Sequence, residues 1–150
     1  MVVFQCEWVD EQMLSGHSSF DLGHMTFSGE KGICTSRGKS PDQAMMLAIA
    51  ITDLLYGLET LLRGNQSEYR FVGADSSFSV WFKKSKRGSI SVRCGTTELG
   101  EAESTILCKS ILHGVETFFS QPGNELPVND PVREDLLSSV QSFKRCLREG

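Results

Sequence analysis

Glu59 and Glu116 stand at matching places in two Gly-x-Glu-Thr elements, each followed by a threonine, Thr60 and Thr117. Two carboxylates brought together by pseudo-symmetry could serve as general acid and base, or hold a metal ion. Placed singly on the solvated faces of two helices they do neither, and this plainer reading is preferred. His17, His24 and His113 show no H-x-x-x-H or H-E-x-x-H spacing, and no cysteine stands near them in ligand register. No metal and no cofactor is therefore expected. A Cys-His nucleophile stays open, because such partners meet only in space. Glycine-rich phosphate cradles are absent.

Charged clusters offer binding chemistry instead. Lys83, Lys84, Lys86 and Arg87 crowd one short stretch directly after Trp81 and Phe82. This is the composition of a phosphate or nucleic-acid contact with a stacking aromatic beside it. It is equally that of a solvated hairpin tip protected against edge pairing, the reading preferred here. Glu7, Asp10 and Glu11 lie near the end of the first strand; Glu98, Glu101 and Glu103 lie where a second helix is expected to start. Such groups could steer a basic protein partner, although acidic residues at a helix start also simply complement its dipole. These six acidic and four basic residues are the candidate partner-binding set, and no catalytic residue is assigned.

The elements that must position them carry an internal echo. Tyr56-Gly57-Leu58-Glu59-Thr60-Leu61-Leu62 returns as His113-Gly114-Val115-Glu116-Thr117-Phe118-Phe119. Ser18-Ser19-Phe20 reappears as Ser76-Ser77-Phe78, Ile33 as Ile90, Gly38 as Gly95, and Ser40 is replaced by Thr97. A repeat of this period makes each copy one structural unit. Strands are expected over 1–10, 18–28 and 33–36, then again over 69–74, 76–84 and 89–94. Ser40-Pro41-Asp42-Gln43 has the signature of an N-cap and capping box, which predicts a helix from there to Arg63 with Gly64 as its stop. The run from Ala44 to Ile51 is apolar all round, so that helix should be buried on more than one side. Thr97 takes the N-cap place in the second copy.

The resulting expectation is an α+β fold: a duplicated βββα unit forming one antiparallel sheet covered by helices, plus a C-terminal helix. The pseudo-repeats cover 1–64 and 65–121, a linker covers 122–129, and the added helix covers 130–148, all in one domain of 1–150. Gly57 and Gly114 cost each helix about 1 kcal/mol relative to alanine, so each should mark a close backbone approach.

Composition narrows the function. Hydrophobic content of 39% and charged content of 23% describe an ordinary globular chain. No apolar run is long enough to span a bilayer and no signal peptide is visible, so a cytoplasmic location is expected. Five scattered cysteines without a C-x-x-C pair fit buried thiols better than a disulfide framework. The four cations at 83–87 mean that a net charge of -4 leaves -8 on the remainder. That balance disfavours direct nucleic-acid binding and favours a basic protein partner.

In its size, acidic balance, Trp- and Phe-bearing strands and covering helices, the chain resembles the immunity proteins of bacterial polymorphic or contact-dependent toxin systems. The resemblance is one of general character and carries over no site residue. It implies a toxin inhibitor, monomeric or weakly dimeric, that blocks a cognate secreted toxin domain such as a nuclease. Two other readings stand beside it: a chaperone for a secreted effector, and a small enzyme with Glu59, Glu116 and His113 at the junction of the repeats.

Overall fold

The computed structural model describes residues 1–10 and 17–149; the expected contact at Glu11 lies outside them. Strands β1 (Val3–Trp8), β2 (Leu22–Ser28), β3 (Ile33–Thr35) and β4 (Met45–Met46) lead into helix α1 (Leu47–Leu62). Strands β5 (Glu68–Val72), β6 (Ser79–Lys84), β7 (Ser89–Cys94) and β8 (Thr97–Glu103) lead into α2 (Ser104–Ser120), and α3 (Arg133–Glu149) follows. The α+β class holds. The single sheet does not: the described residues form two four-stranded antiparallel sheets. In the first, β1 pairs with β2, and β3 and β4 take successive stretches of the other side of β2. The second runs β5-β6-β7-β8.

Both expected helix starts are corrected, and for one reason. In each, residues of the expected early helix are drawn into a sheet: Met45 and Met46 beyond the first turn of one, and the first turn itself in the other. Met45 and Met46 pair with Gly23 and Leu22, and the Met46 amide donates to the Ala74 carbonyl at 3.0 Å, so α1 begins only at Leu47. Asp42 serves its own turn, accepting from the Ala44 amide at 2.9 Å. Likewise Thr97 opens β8, where pairing with β7 and burial of Leu99 outweigh the local helix signal. The N-cap of α2 is Glu103, whose carboxylate accepts from the Ile106 amide at 3.1 Å and the Thr105 hydroxyl at 2.7 Å.

The echo between the halves is uneven. Phe78 is 2% exposed but Phe20 is 61%, and Ile90 is 0% exposed but Ile33 is 64%. Residues matched by sequence thus differ in setting: Ile33 of β3 faces solvent where Ile90 of β7 faces the core, and Phe20 lies in the turn before β2. The helix glycines behave alike. A Cβ on Gly114 would lie 2.2 Å from the Phe4 carbonyl oxygen, and one on Gly57 would lie 1.9 Å from the Tyr69 ring. So α2 runs along β1, and α1 along β5. Ser110 adds a hydroxyl bond to the Val2 carbonyl at 2.7 Å, and Tyr69 one to the Asp53 carbonyl at 3.1 Å. Thus α2 covers the edge of β1, meeting the Val2 and Phe4 carbonyls, whereas α1 meets β5 through the Tyr69 side chain, on the same face as buried Phe71. As its composition requires, α1 is buried round most of its circumference, with Leu47, Ile51, Leu54, Leu55, Leu58 and Leu61 fully enclosed.

A seam joins the sheets. Opposite the Val92–Arg93 step, β8 carries one extra residue, Leu99, with Gly100 at φ +140°. This bulge frees the Leu99 carbonyl to accept from the Lys31 amide at 3.1 Å. Gly29 is required there, because a Cβ would sit 2.1 Å from that carbonyl oxygen. The expectation of buried thiols in preference to disulfides is corrected for one pair at the same place: Cys34 of β3 and Cys94 of β7 form a disulfide. Sixty residues apart in sequence, they meet only because the β2–β3 hairpin folds onto the second sheet. Cys6, Cys108 and Cys146 remain free.

Two carboxylates tie down helix starts. Thr105 and the Ile106 amide hold Glu103 below the ordinary carboxylate range. Burial pushes Asp130 up, but amides of Ser19 and Val132, at 2.8 and 2.9 Å, outweigh it and lower the carboxyl. A carboxyl depressed in the fold stabilises fully above its unfolded pKa and loses that contribution as pH falls through the folded value. Circular dichroism below about pH 4 should therefore show the start of α2 fraying before the core melts. Glu103→Gln should flatten that early phase; an unchanged acid transition would assign the loss elsewhere.

Candidate functional site

Alternation along β5 to β8 divides the second sheet into two faces. Phe71, Val80, Phe82, Ile90, Val92 and Leu99 point inward and are buried. The outward residues fall into two cross-strand rows. One runs Arg70, Trp81, Arg93, Glu98; the other runs Glu68, Lys83, Ser91, Glu101. Trp81 is half-buried between two arginines, with the Arg70 guanidinium 5.6 Å from its ring centroid. Lys83 pairs with Glu68 at 3.7 Å, and the Ser89 hydroxyl bonds to Glu101. A hollow of about 250 Å³ lies on this face, lined by Glu68, Trp81, Lys83, Ser91, Arg93 and Glu98.

The candidate residues are thus partly brought together. Glu98, Glu101 and Lys83 share this face. Their setting is a mosaic of both charges, in contrast to the uniform acidic patch expected at a helix start. Glu103 is occupied as the cap of α2. Lys84 points away from the mosaic and donates to the Leu61 carbonyl at 2.9 Å, closing the end of α1. Lys86 and Arg87 are exposed at the β6–β7 turn. Glu7 belongs to the other sheet, where it pairs with Arg37 at 3.0 Å. The Asp10 carbonyl contacts the His17 ring at 2.7 Å, and that ring stacks on Trp8 with centroids 4.3 Å apart. Arg70, Arg93, Ser91 and Glu68 were not among the candidates. Their signal was the period-two polar spacing of β5 to β7, legible only once strand pairing is known.

The paired carboxylates are not brought into one site. Glu59 is 7% exposed and pairs with Arg63 of its own helix at 3.6 Å, whereas Glu116 pairs with Lys144 of α3 at 2.7 Å. His113 lines a different feature, a cleft of about 510 Å³ between the outer face of the first sheet and α2, together with Gln5, Glu7, Thr26, Arg37 and Thr117. Burial pushes the Cys6 thiol of the same cleft well up, with Glu7 adding to the effect, so it is a poor nucleophile. Among the described residues, no group of three or more histidine, cysteine or acidic side chains is arranged to hold a metal ion.

No helix among the described residues is long and apolar enough to cross a membrane. No protein-family model, curated protein sequence or solved structure matches the chain.

Proposed function

We propose that this protein is a toxin inhibitor of the immunity type, which binds a cognate toxin domain through the outer face of its second sheet. The observation that carries the reading is Trp81 held between Arg70 and Arg93 on a paired, well-supported sheet. Tryptophan and arginine dominate the energetics of protein interfaces, and side chains ordered before contact lose less freedom on binding. Alternating charge supports a partner with a patterned surface, since complementary patterns set register and exclude wrong partners. Glu68, Glu98 and Glu101 would repel a phosphate backbone, which favours protein over nucleic acid. The protein acts without catalysing a reaction, as a monomer or weak dimer in the cytoplasm.

The finer architecture belongs to the same proposal. The two halves are copies of one strand-strand-strand-helix unit. Gly57 and Gly114, each set against the first strand of the other half, support it, as do Gly38 and Gly95, both at positive φ.

Capture from the native host tests the function. The immobilised protein should retain a toxin domain, and a Glu98→Lys/Glu101→Lys variant should associate with it more slowly than wild type, with a larger deficit at low salt than at high salt. Recovery of a small metabolite alone, or of nothing, sinks the proposal. Glu103 is left intact in this variant because reversing it would disturb the cap of α2.

A further inference from the structure

We propose that the Cys34–Cys94 bond is a reducible clamp on β8, and that a dithiol reductant opening it loosens the acidic edge of the binding face. This regulation rests on the function proposed above. The geometry is specific. As the edge strand among the described residues, β8 is hydrogen-bonded in its sheet to β7, and its ladder is interrupted by the bulge at Leu99. Its other side leans on the turn at 29–32, through one backbone hydrogen bond from Lys31 and the contacts of Gly29 and Gly32 with Leu99 and Thr97. Cys94 closes the β7–β8 hairpin opposite Thr97, one residue from Arg93 and within four of Glu98. The disulfide is therefore the covalent element of a seam otherwise held by few polar contacts.

Access dictates the course of reduction. Cys34 is 2% exposed, whereas Cys94 is half-buried. A thiolate of the dithiol attacks the Cys94 sulfur, forming a mixed disulfide and expelling the Cys34 thiolate, which takes up a proton. The second thiol of the reductant then attacks its own sulfur in the mixed disulfide and releases Cys94 as a thiol. Two electrons and two protons pass to the protein, and the reductant leaves as a cyclic disulfide. The other cysteines do not compete. Burial, with Cys146 and Glu103 nearby, pushes Cys108 up to about 12; burial also raises Cys6 and Cys146. Thiols so raised are scarcely ionised at neutral pH, and it is the thiolate that attacks.

Dithiothreitol serves as the probe and hydrogen exchange as the readout, so no partner is needed. In a labelling pulse of about one minute, amides at 97–103 should exchange about tenfold faster in the reduced protein, while those at 79–84 stay protected. A Cys34→Ala/Cys94→Ser variant should reproduce the reduced pattern without reductant. Alkylation of partly reduced protein should trap Cys94 in mixed disulfides before Cys34. Unchanged exchange at 97–103, or equal loss of protection at 79–84, overturns the clamp. Neither result bears on whether a toxin is captured, so the two proposals fail separately.

Discussion

Replacing Gly114 with alanine should lower the stability of the fold by about 3 kcal/mol, the upper range of overpacking costs. For a chain of this size the thermal midpoint should fall by roughly 6–12 °C. In a solvated helix the same change would stabilise by about 1 kcal/mol, because alanine is the better helix former. The sign reverses here because the new methyl would lie 2.2 Å from the Phe4 carbonyl oxygen, a backbone atom fixed by the ladder between β1 and β2. Relief requires α2 to lift from β1. That movement would also break the Ser110 bond to the Val2 carbonyl and part Phe118 from Trp8, whose rings lie 5.3 Å apart.

Gly57→Ala makes the informative comparison. There the obstacle is the ring of Tyr69, a side chain that can rotate away at the cost of its hydroxyl bond to Asp53. Truncation of that ring in Gly57→Ala/Tyr69→Ala should recover much of the loss attributable to the clash, giving a clear coupling term in a double-mutant cycle. No side-chain truncation should rescue Gly114→Ala. Thermal denaturation of wild type, Gly57→Ala, Tyr69→Ala, their double variant and Gly114→Ala measures this, and a Gly114→Ala midpoint at or above that of wild type would show that α2 does not seal the β1 edge.

These glycines were the most legible feature of the chain. A costly residue at equivalent places in two helices demanded a compensating approach, and only the identity of what approached was hidden. The burial of α1 was equally readable from an apolar run without a polar face. The helix starts misled because Ser40 and Thr97 are good caps by local chemistry, while the residues that follow them had a stronger use in strand pairing, with distant β2 in one case and with the neighbouring hairpin strand β7 in the other. Tertiary pairing overrode propensity. Gly100, a poor residue for an early helical turn, was the sign in the second case. Cys34 and Cys94 could not be matched because nothing local encodes the folding of a hairpin over another sheet. The proposed binding face was hidden for a related reason. Arg70, Trp81 and Arg93 become neighbours only through the β5-β6-β7 register, so reading charge along the chain found the clustered Lys83–Arg87 stretch and overlooked the row across it.

That row makes Trp81 the second site of large effect. Trp81→Ala should weaken binding of the captured toxin domain about thirtyfold or more, the range of a central interface residue. Stability should change little, because the side chain stands half-exposed on the outer face and contributes nothing to the buried layer of Phe71, Val80 and Phe82. Trp81→Phe should lose less, since it keeps a ring between Arg70 and Arg93. The chain offers its own reporter. Of two tryptophans, Trp8 is 3% exposed and stacked on His17, so a change in emission that Trp81→Phe abolishes reports contact at Trp81. Arg93→Ala and Glu98→Ala, facing one another across β7 and β8, should be non-additive with each other if the mosaic acts as a unit. Binding of Trp81→Ala within twofold of wild type would remove the second sheet from the interface. It would turn attention to the cleft between the first sheet and α2, where Arg37 and Glu7 are the charged groups and His113 and Cys6 line the wall beside them.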